Sequence, residues 1–268
     1  MTSFLLSFLP ELVLLAGALG LFVVTLGEAP GALARRLALL VAVAAALASV
    51  CSLGQHAVLF DGAYRVDAFS QLLKLVLLGG FVGVTLLSAD LPDIRAAIKA
   101  EYFLFLTLSL IGLVLLVSCV DAITMVIALE LSSFPLYLMV AMRRERAGFH
   151  LQMESAIKYL MFGVAANGIM FFGLSYLYGL TGTTSLPGMV EKLAPLFATS
   201  PLALIGLAMT CCGLYYKLAV FPFHFWTPDV YQGASNETAG FVSTLPKLGA
   251  VAVLVRLVSL AGPGNHAV

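Results

Sequence analysis

Charge is scarce in this 268-residue chain. Asp, Glu, Lys and Arg make up 10% of it, and 14 basic residues balance 14 acidic ones. Soluble domains carry about 25% charged residues, and a chain without net charge or long basic tracts lacks the electrostatic footprint of a nucleic-acid-binding protein. Hydrophobic residues fill 61% of the sequence. The composition therefore predicts an integral membrane protein, with the lipid bilayer and not nucleic acid as its partner.

The motifs of metal and nucleotide binding are also missing. The 4 cysteines show no C-x-x-C spacing, and each lies in or beside an apolar run, where a thiol behaves as a small hydrophobe. The chain has neither a G-x-x-x-x-G-K-[ST] loop nor a G-x-G-x-x-G fingerprint. We therefore expect no disulfide, metal site, iron–sulfur cluster or nucleotide here, and any redox chemistry should take place on another chain.

What the sequence does contain is a series of long apolar runs. A membrane-spanning helix needs about 20 apolar residues, and the runs predict an all-α, polytopic transmembrane helical bundle of about eight spans. The predicted helices cover 3–27, 34–54, 67–89, 101–119, 122–142, 154–179, 201–231 and 238–261.

Prolines predict breaks in the last two helices. The seventh helix is too long for a straight span and contains Pro222, which cannot donate a backbone hydrogen bond and clashes with the carbonyl four residues earlier. Pro246, next to Lys247, repeats this arrangement in the eighth helix. Paired broken helices are typical of transporters, although kinked helices without any transport role are commoner.

The basic residues of the short loops predict the orientation. They follow the odd-numbered helices, and loops rich in Lys and Arg stay in the cytoplasm. Both termini should therefore lie outside, and the tract 179–200 should be an external loop. The loop residues used are Arg35, Arg36, Arg95, Lys99, Arg143, Arg144 and Arg146.

Four charged residues fall deep within predicted spans. A lysine near the bilayer centre costs roughly 2.5 to 3.5 kcal/mol on insertion scales, so it is retained mainly where ions or protons move. Lys217 is the clearest case, and Glu130 is its natural partner because each ion offsets the desolvation of the other. A structural ion pair is the alternative. With Lys158 and Lys247, however, three deep lysines face a single acid, which favours groups that exchange protons.

Weaker candidates have simpler explanations. His224 lies seven residues after Lys217, beside the predicted break, and is either a proton relay or a core histidine held by one hydrogen bond. Glu11, Lys74 and Arg256 lie near helix ends or in weak sequence context. We interpret these three as snorkelling or packing-satisfied charges.

Three runs carry a family resemblance: FPFHFWTPDVYQGA, ESAIKYLMFGVAANGIMFFGLSYLYGLTGTTSL and STLPKLGAVAVLVRL. They resemble the subunit N family of respiratory NADH-quinone oxidoreductase (complex I), whose members are antiporter-like membrane subunits. The similarity extends over nearly the whole chain. The wider antiporter-like class shares a lysine followed by P-x-H-x-W-x-P-D, whereas the ending VYQGA favours subunit N.

The resemblance implies a function and its residues. Members are translocase subunits of the respiratory electron-transport chain in the bacterial cell inner membrane, and they assemble with other antiporter-like and small membrane subunits. NADH, FMN, iron–sulfur clusters and quinone would bind to other subunits, which leaves no catalytic redox site on this chain. The proton-translocating positions correspond to Glu130, Lys158, Lys217 and Lys247, with His224 and Tyr231 as possible relay members.

The chain also departs from the family. Members have about fourteen helices in two inverted five-helix repeats, and this sequence ends after the eighth. We assign 1–100 to three N-terminal helices, 101–262 to one five-helix proton-translocating repeat and 263–268 to a short tail. Family members also have a proline-rich stretch after VYQGA, where this chain has Ser235, Asn236 and Glu237. Three functions stay open: a proton-translocating subunit, a cation/proton antiporter subunit, and a truncated, non-conducting structural piece.

Overall fold

The chain folds as a helical bundle. The computed structural model describes residues 2–27, 31–144 and 151–261, and the predicted all-α membrane fold is confirmed. A short antiparallel hairpin, β1 (Ala57–Leu59) and β2 (Tyr64–Val66), joins two of the helices. The helices are α1 (Thr2–Ser7), α2 (Leu9–Thr25), α3 (Gly31–Ser52), α4 (Ala68–Leu87), α5 (Lys99–Leu116), α6 (Ala122–Ala141), α7 (Leu151–Thr181), α8 (Leu186–Leu193), α9 (Pro201–Leu218), α10 (Trp226–Gly233) and α11 (Asn236–Ala261), with 3-10 turns at Ala96–Ile98 and Ala194–Ala198.

Most of the helices are long enough to cross a membrane. Within the described residues, 7 helices have the length and apolar composition of a span: α3, α4, α5 with its preceding 3-10 turn, α6, α7, α9 and α11. The apolar helix α2 has 17 residues, or about 26 Å at 1.5 Å per residue, which approaches the thickness of the hydrocarbon core. The predicted first helix is present as two pieces, α1 and α2, because the chain leaves the helical conformation at Phe8.

One of the two predicted breaks is present. Helix α9 ends at Leu218, Ala219 adopts the left-handed conformation with φ 57°, and α10 begins only at Trp226. The prediction of a second break at Pro246 was wrong, because α11 runs through this proline without interruption. The proline removes one backbone hydrogen bond, but α11 packs against α4, α5, α6 and α9. That packing keeps the helix continuous.

The hairpin closes one end of the bundle, which we call the hairpin end. Tyr64 of β2 pairs with Cys119, and Val120 donates its backbone N–H to the Ala63 carbonyl. Leu186, at the start of α8, donates in turn to the Val120 carbonyl. The sequence predicted only irregular loops in these regions, because the strands have three residues each and α8 is one short amphipathic helix.

Basic residues gather at the opposite end of the bundle, which we call the basic end. Lys99 Nζ lies 2.5 Å from the Asp90 carbonyl oxygen, and Arg143 Nε lies 3.5 Å from Asp93 Oδ2. Arg143 also donates to the Gln232 carbonyl over 2.6 Å. The loop residues behind the predicted orientation thus share one end of the fold. Residues 145–150, including Arg146, and the predicted tail 263–268 lie outside the described residues.

Helix α5 is the centre of the packing. It contacts five other helices, α2, α3, α4, α6 and α11. Small residues let α5 and α6 approach closely: a Cβ atom on Gly112 would lie only 2.4 Å from the backbone nitrogen of Ser132. Ser109 Oγ donates to the Ser132 carbonyl over 2.6 Å. This contact fixes the segment of α6 on which the candidate site is built.

Candidate functional site

Lys217 is buried at the end of α9, one residue before that helix terminates. The residue is 8% exposed, and its ammonium group reaches across to α6. Its Nζ donates to Ser132 Oγ over 3.3 Å and to the Leu129 carbonyl over 3.4 Å, and it also contacts Ser133 Oγ. The cation is therefore surrounded by neutral oxygens, at the point where the backbone of the span is interrupted.

The predicted ion pair between Lys217 and Glu130 is not formed. Glu130 Oε1 instead accepts a hydrogen bond of 2.5 Å from Asn167 Nδ2 on α7. The reason is helical geometry: Leu129, Ser132 and Ser133 share one face of α6, and a residue one position from Leu129 is rotated by about 100°. Glu130 still interacts electrostatically with Lys217, but its carboxylate is bound by α7. The residue also lines an apolar cavity of about 600 Å³.

Lys158 is paired, contrary to the prediction of three deep lysines facing one acid. Its side chain is 38% exposed, and its Nζ lies 2.8 Å from Asp229 Oδ2 and 2.7 Å from Glu154 Oε1. Sequence reasoning missed both carboxylates. The spacing of Glu154 and Lys158, four residues apart on one helix, was the available signal. Asp229 could not be found in this way because it lies on α10, beyond the break.

Lys247 is linked to the same short helix. Its Nζ lies 5.9 Å from the centroid of the Tyr231 ring, within the range of a cation–π contact. The Tyr231 hydroxyl is enclosed and has no hydrogen-bond partner among the described residues. Helix α10 thus contacts Lys158 on α7 through Asp229 and Lys247 on α11 through Tyr231.

Aromatic residues hold α10 in this position. Trp226, its first residue, is 2% exposed and donates its indole N–H to the Tyr216 carbonyl over 3.1 Å. The Trp226 ring stacks on Tyr159 with centroids 4.7 Å apart. The Tyr216 hydroxyl donates to the Tyr159 carbonyl over 2.8 Å. Because these rings come from α7, α9 and α10, they fix the geometry of the break.

His224 lies within the break, between α9 and α10. Its ring stacks on Phe225 with centroids 4.7 Å apart. Its Nδ1 atom is enclosed, with no hydrogen-bond partner in the part of the chain that the structure describes. The histidine is therefore placed beside the broken helix as the sequence suggested, and its role as a relay stays a prediction.

Charges first interpreted as snorkelling prove to be paired in the interior. Lys74 is 0% exposed and Glu11 3% exposed, with Lys74 Nζ 2.7 Å from Glu11 Oε1. Arg256 is 6% exposed, and its Nη1 lies 2.8 Å from Asp67 Oδ2. Snorkelling was therefore the wrong part of that interpretation. The partners Glu11 and Lys74 are far apart in the sequence, and so are Asp67 and Arg256, which lie on different helices or helix ends.

Proton-carrying groups dominate the candidate site. Within the described ranges, no group of three or more His, Cys, Asp or Glu side chains could hold a metal ion. The site instead offers amines, carboxylates, hydroxyls and a phenol, placed around a break in a membrane-spanning helix. Each of these groups can donate or accept a proton without any change of oxidation state.

Sequence comparison places these features in a family. The family model described as "NADH:quinone oxidoreductase/Mrp antiporter, TM" matches residues 119–267. NADH-quinone oxidoreductase subunit N 2 of Opitutus terrae is 67% identical over 266 residues, which cover 99% of this chain and 55% of that protein. The subunit N 2 protein of Solidesulfovibrio magneticus is 43% identical over 259 residues, or 96% of this chain and 54% of that one. The chain thus spans about half the length of the curated relatives it matches.

Solved structures agree with the sequence comparison. A chain of Thermus thermophilus respiratory complex I with bound aureothin is 30% identical and superposes with a TM-score of 0.77, over 92% of this chain and 52% of that one. A chain of the Mrp complex from Dietzia sp. shares the fold, with a TM-score of 0.80 at 19% identity over 96% of this chain and 49% of that one. The predicted resemblance to subunit N is confirmed, and this integral membrane protein belongs to the NADH:quinone oxidoreductase/Mrp antiporter transmembrane family.

Proposed function

We propose that this chain is a membrane subunit of a proton-translocating NADH-quinone oxidoreductase, in which Glu130, Lys158, Lys217 and Lys247 carry protons while quinone is reduced on other subunits. The main support for this proposal is the environment of Lys217. Its ammonium lies in the protein interior at a helix break, with hydroxyls and a carbonyl around it, and none of the described carboxylates lies within ion-pair distance of it.

This environment favours a proton that can leave. A buried cation is costly unless a counter-ion compensates it, and hydroxyl groups solvate the neutral amine as well as the ammonium. Glu130 is near enough to influence Lys217 without binding it. A change in the charge or position of this carboxylate therefore shifts the balance between the charged and neutral amine.

The surrounding groups suggest a route. Lys158, half-exposed and paired with Asp229 and Glu154, modulates or supplies Lys217 from the basic end. Beyond the break, Tyr231 and His224 lead toward Lys247, which passes the charge onward. At each transfer an N–H or O–H bond on one group breaks and a bond to the same proton forms on the next.

The proposal includes an orientation and partners. The positive-inside rule places the basic end in the cytoplasm and the hairpin end outside the bacterial inner membrane. The Thermus thermophilus match belongs to a respiratory complex I, and we infer that other membrane subunits of such a complex surround this chain. NADH, FMN, iron–sulfur clusters and quinone are then bound by those other subunits. The division into three N-terminal helices and a five-helix repeat belongs to the same proposal.

Lys217→Met and Glu130→Gln in the assembled complex test the function. Both variants keep the approximate size of the side chain and remove its charge. In liposomes, we expect fewer protons pumped per quinone reduced and slower coupled quinone reduction. Lys192→Met is the matched control, because Lys192 is an exposed lysine outside the spans. Parental pumping by Lys217→Met would refute the proposal.

The antiporter alternative is favoured by one observation, the family description that joins both classes. An antiporter exchanges a cation for protons without electron transfer. Vesicles that contain the complex, given a sodium gradient and no NADH, separate the two functions. Proton movement driven by the gradient, and lost in Lys217→Met, would support the antiporter.

A further inference from the structure

A second buried carboxylate and amine lie outside the route above, at the hairpin end of the N-terminal helices. Glu11 belongs to α2 and Lys74 to α4, and both are enclosed. Lys74 Nζ lies 2.7 Å from Glu11 Oε1, yet this approach is not aligned as a hydrogen bond. The pair resembles the proposed proton carriers in chemistry but shares no contact with them among the described hydrogen bonds and ion pairs.

Tyr64 completes this cluster from the hairpin. Its hydroxyl donates to Glu11 Oε1 over 2.6 Å, and its ring centroid lies 5.1 Å from Lys74 Nζ. Burial, followed by the neighbouring charge of Glu11, raises the pKa of the Tyr64 phenol well above its ordinary value. The phenol therefore keeps its proton and remains a donor to the carboxylate at physiological pH.

The two oxygens of Glu11 are in different situations. Tyr64 donates to Oε1 and the Lys74 ammonium lies beside the same oxygen, whereas Oε2 is enclosed and accepts no hydrogen bond from the described residues. One hydroxyl of the same end, Ser7 Oγ, is likewise enclosed without a partner among the described residues. A proton placed on Oε2 would form an O–H bond without displacing any existing hydrogen bond.

Lys74 is the nearest source of that proton. Transfer breaks an N–H bond on Lys74 and forms an O–H bond on Glu11, which converts a charged pair into a neutral pair. In a buried site the desolvation of two ions offsets much of their mutual attraction, which lowers the free-energy advantage of the charged pair over the neutral pair. The cluster can therefore hold, release or accept one proton without opening the helix bundle.

The surroundings limit which groups take part. Beyond Tyr64, the titratable or charged groups in contact with β2 or with the start of α4 are Cys119, which pairs with Tyr64, and the Arg256–Asp67 ion pair. The packed elements also carry other titratable groups, and the structure describes no hydrogen bond or ion pair from these to Glu11 or Lys74: Arg35, Arg36 and Cys51 on α3, Arg65 on β2, Lys99, Glu101 and Tyr102 on α5, and Lys247 on α11. Burial raises the pKa of the Cys119 thiol to about 12, so this thiol stays neutral. Asp67 is held as the counter-ion of Arg256. Glu11 and Lys74 are thus the members of the cluster that are free to exchange a proton.

We propose that Glu11 and Lys74 form a second proton-exchange site, at the hairpin end of this subunit. Tyr64 of the hairpin covers the site and donates a hydrogen bond to Glu11. This inference rests on the proposed function, because it assigns the pair a part in the same translocation. It gives the N-terminal helices a chemical role, separate from the lysines around the broken helix.

The double variant Glu11→Gln/Lys74→Met, in the assembled complex, tests the site. Neutral residues of similar size often replace a buried ion pair without loss of stability, whereas either single variant strands one charge. We expect normal assembly and quinone binding, with a loss of protons pumped per quinone reduced. If the pair only holds the helices together, the double variant pumps like the parent protein, and the inference is overturned.

Gln71→Leu is the matched control. Gln71 is buried on α4, one turn before Lys74, and donates to the Ser52 carbonyl over 2.9 Å. Its replacement disturbs the same helices without removing a charge, and we expect parental coupling. An equal loss of coupling in Gln71→Leu and in the double variant would show an effect of packing and overturn the inference.

Infrared difference spectroscopy gives a readout that does not depend on pumping. A protonated Glu11 should give a carboxylic C=O band that shifts in D2O, disappears in Glu11→Gln and persists in Lys217→Met. If no such band appears between acidic and alkaline pH, the inference fails even when Lys217→Met abolishes pumping. If Lys217→Met pumps normally, the proposed function fails, and the band still decides whether Glu11 exchanges a proton.

Discussion

Gly112→Ala should damage the site from a position that does not touch it. Gly112 lies on α5, where the added Cβ would be 2.4 Å from Ser132 N and 2.8 Å from the Ala128 carbonyl oxygen. Both neighbours are backbone atoms of α6, which cannot rotate away as a side chain can. Since ordinary van der Waals contact begins at 3.4 Å, the two helices must separate by about 1 Å at this level.

The size of the effect follows from this displacement. Overpacking a close contact typically costs about 1 to 3 kcal/mol. The displaced segment carries Ser132 and Ser133, the hydroxyl partners of Lys217. Misplacement of functional groups by about 1 Å can lower a rate by roughly two orders of magnitude. We therefore expect a moderate loss of stability and a larger loss of proton pumping.

The assay compares Gly112→Ala with Gly168→Ala in the assembled complex. Gly168 lies within α7, and a Cβ there would meet nothing within 4 Å. Both variants gain the same helix propensity, about 1 kcal/mol, so their difference isolates the packing cost. Thermal stability and protons pumped per quinone are measured for both. If Gly112→Ala matches Gly168→Ala in both measurements, the close α5–α6 contact does not position the site.

Three further predictions concern the polar contacts. Asn167→Leu removes the donor to Glu130 and should lower pumping, whereas Asn167→Gln should retain part of it; equal pumping by the two variants would contradict this role. Asp229→Asn should lower the number of protons pumped per quinone more than Glu154→Gln does, because Asp229 also connects α10 to Lys158 while the Glu154 side chain is 60% exposed. A larger loss in Glu154→Gln would contradict this role of Asp229. Burial acts to raise the pKa of Asp67, but hydrogen bonds from Arg256 and Ser70 outweigh it, and the folded-state pKa lies below the usual value. The stabilising contribution of Asp67 is therefore complete above the unfolded pKa of about 4 and is lost as the pH falls through the folded pKa. The melting temperatures of the parent protein and Asp67→Asn should thus converge on acidification. A difference that stays constant with pH would exclude this linkage.

The sequence predicted the membrane architecture because its signals are strong and local. Long apolar runs define the spans, and Pro222 marks a break that the structure contains. Pro246 gave the same local signal with a different result, since α11 packs closely on both sides of it, through Leu245 against Gly80 of α4 and through Gly249 against Leu113 of α5. A single sequence cannot distinguish a proline that breaks a helix from one that packing tolerates.

Charged residues within the predicted spans could be identified from the sequence, whereas the contacts that they make could not. Lys217, Lys158 and Glu130 were identified from the cost of burying charge. Their actual partners are set by which helix face each side chain occupies and by contacts between distant segments, as Asn167 and Asp229 show. Neither partner has a periodic signal or a motif that connects it with its lysine or glutamate.

The position of α10 between two lysines has a geometric consequence for the subunit. Asp229 and Tyr231 are two residues apart on it, so they project on nearly opposite sides, separated by about 200° at 100° per residue. One contacts Lys158 and the other Lys247. A sideways shift of this eight-residue helix toward one of the two lysines moves it away from the other. The two amines are thus mechanically coupled through α10, since a displacement that shortens one contact lengthens the other.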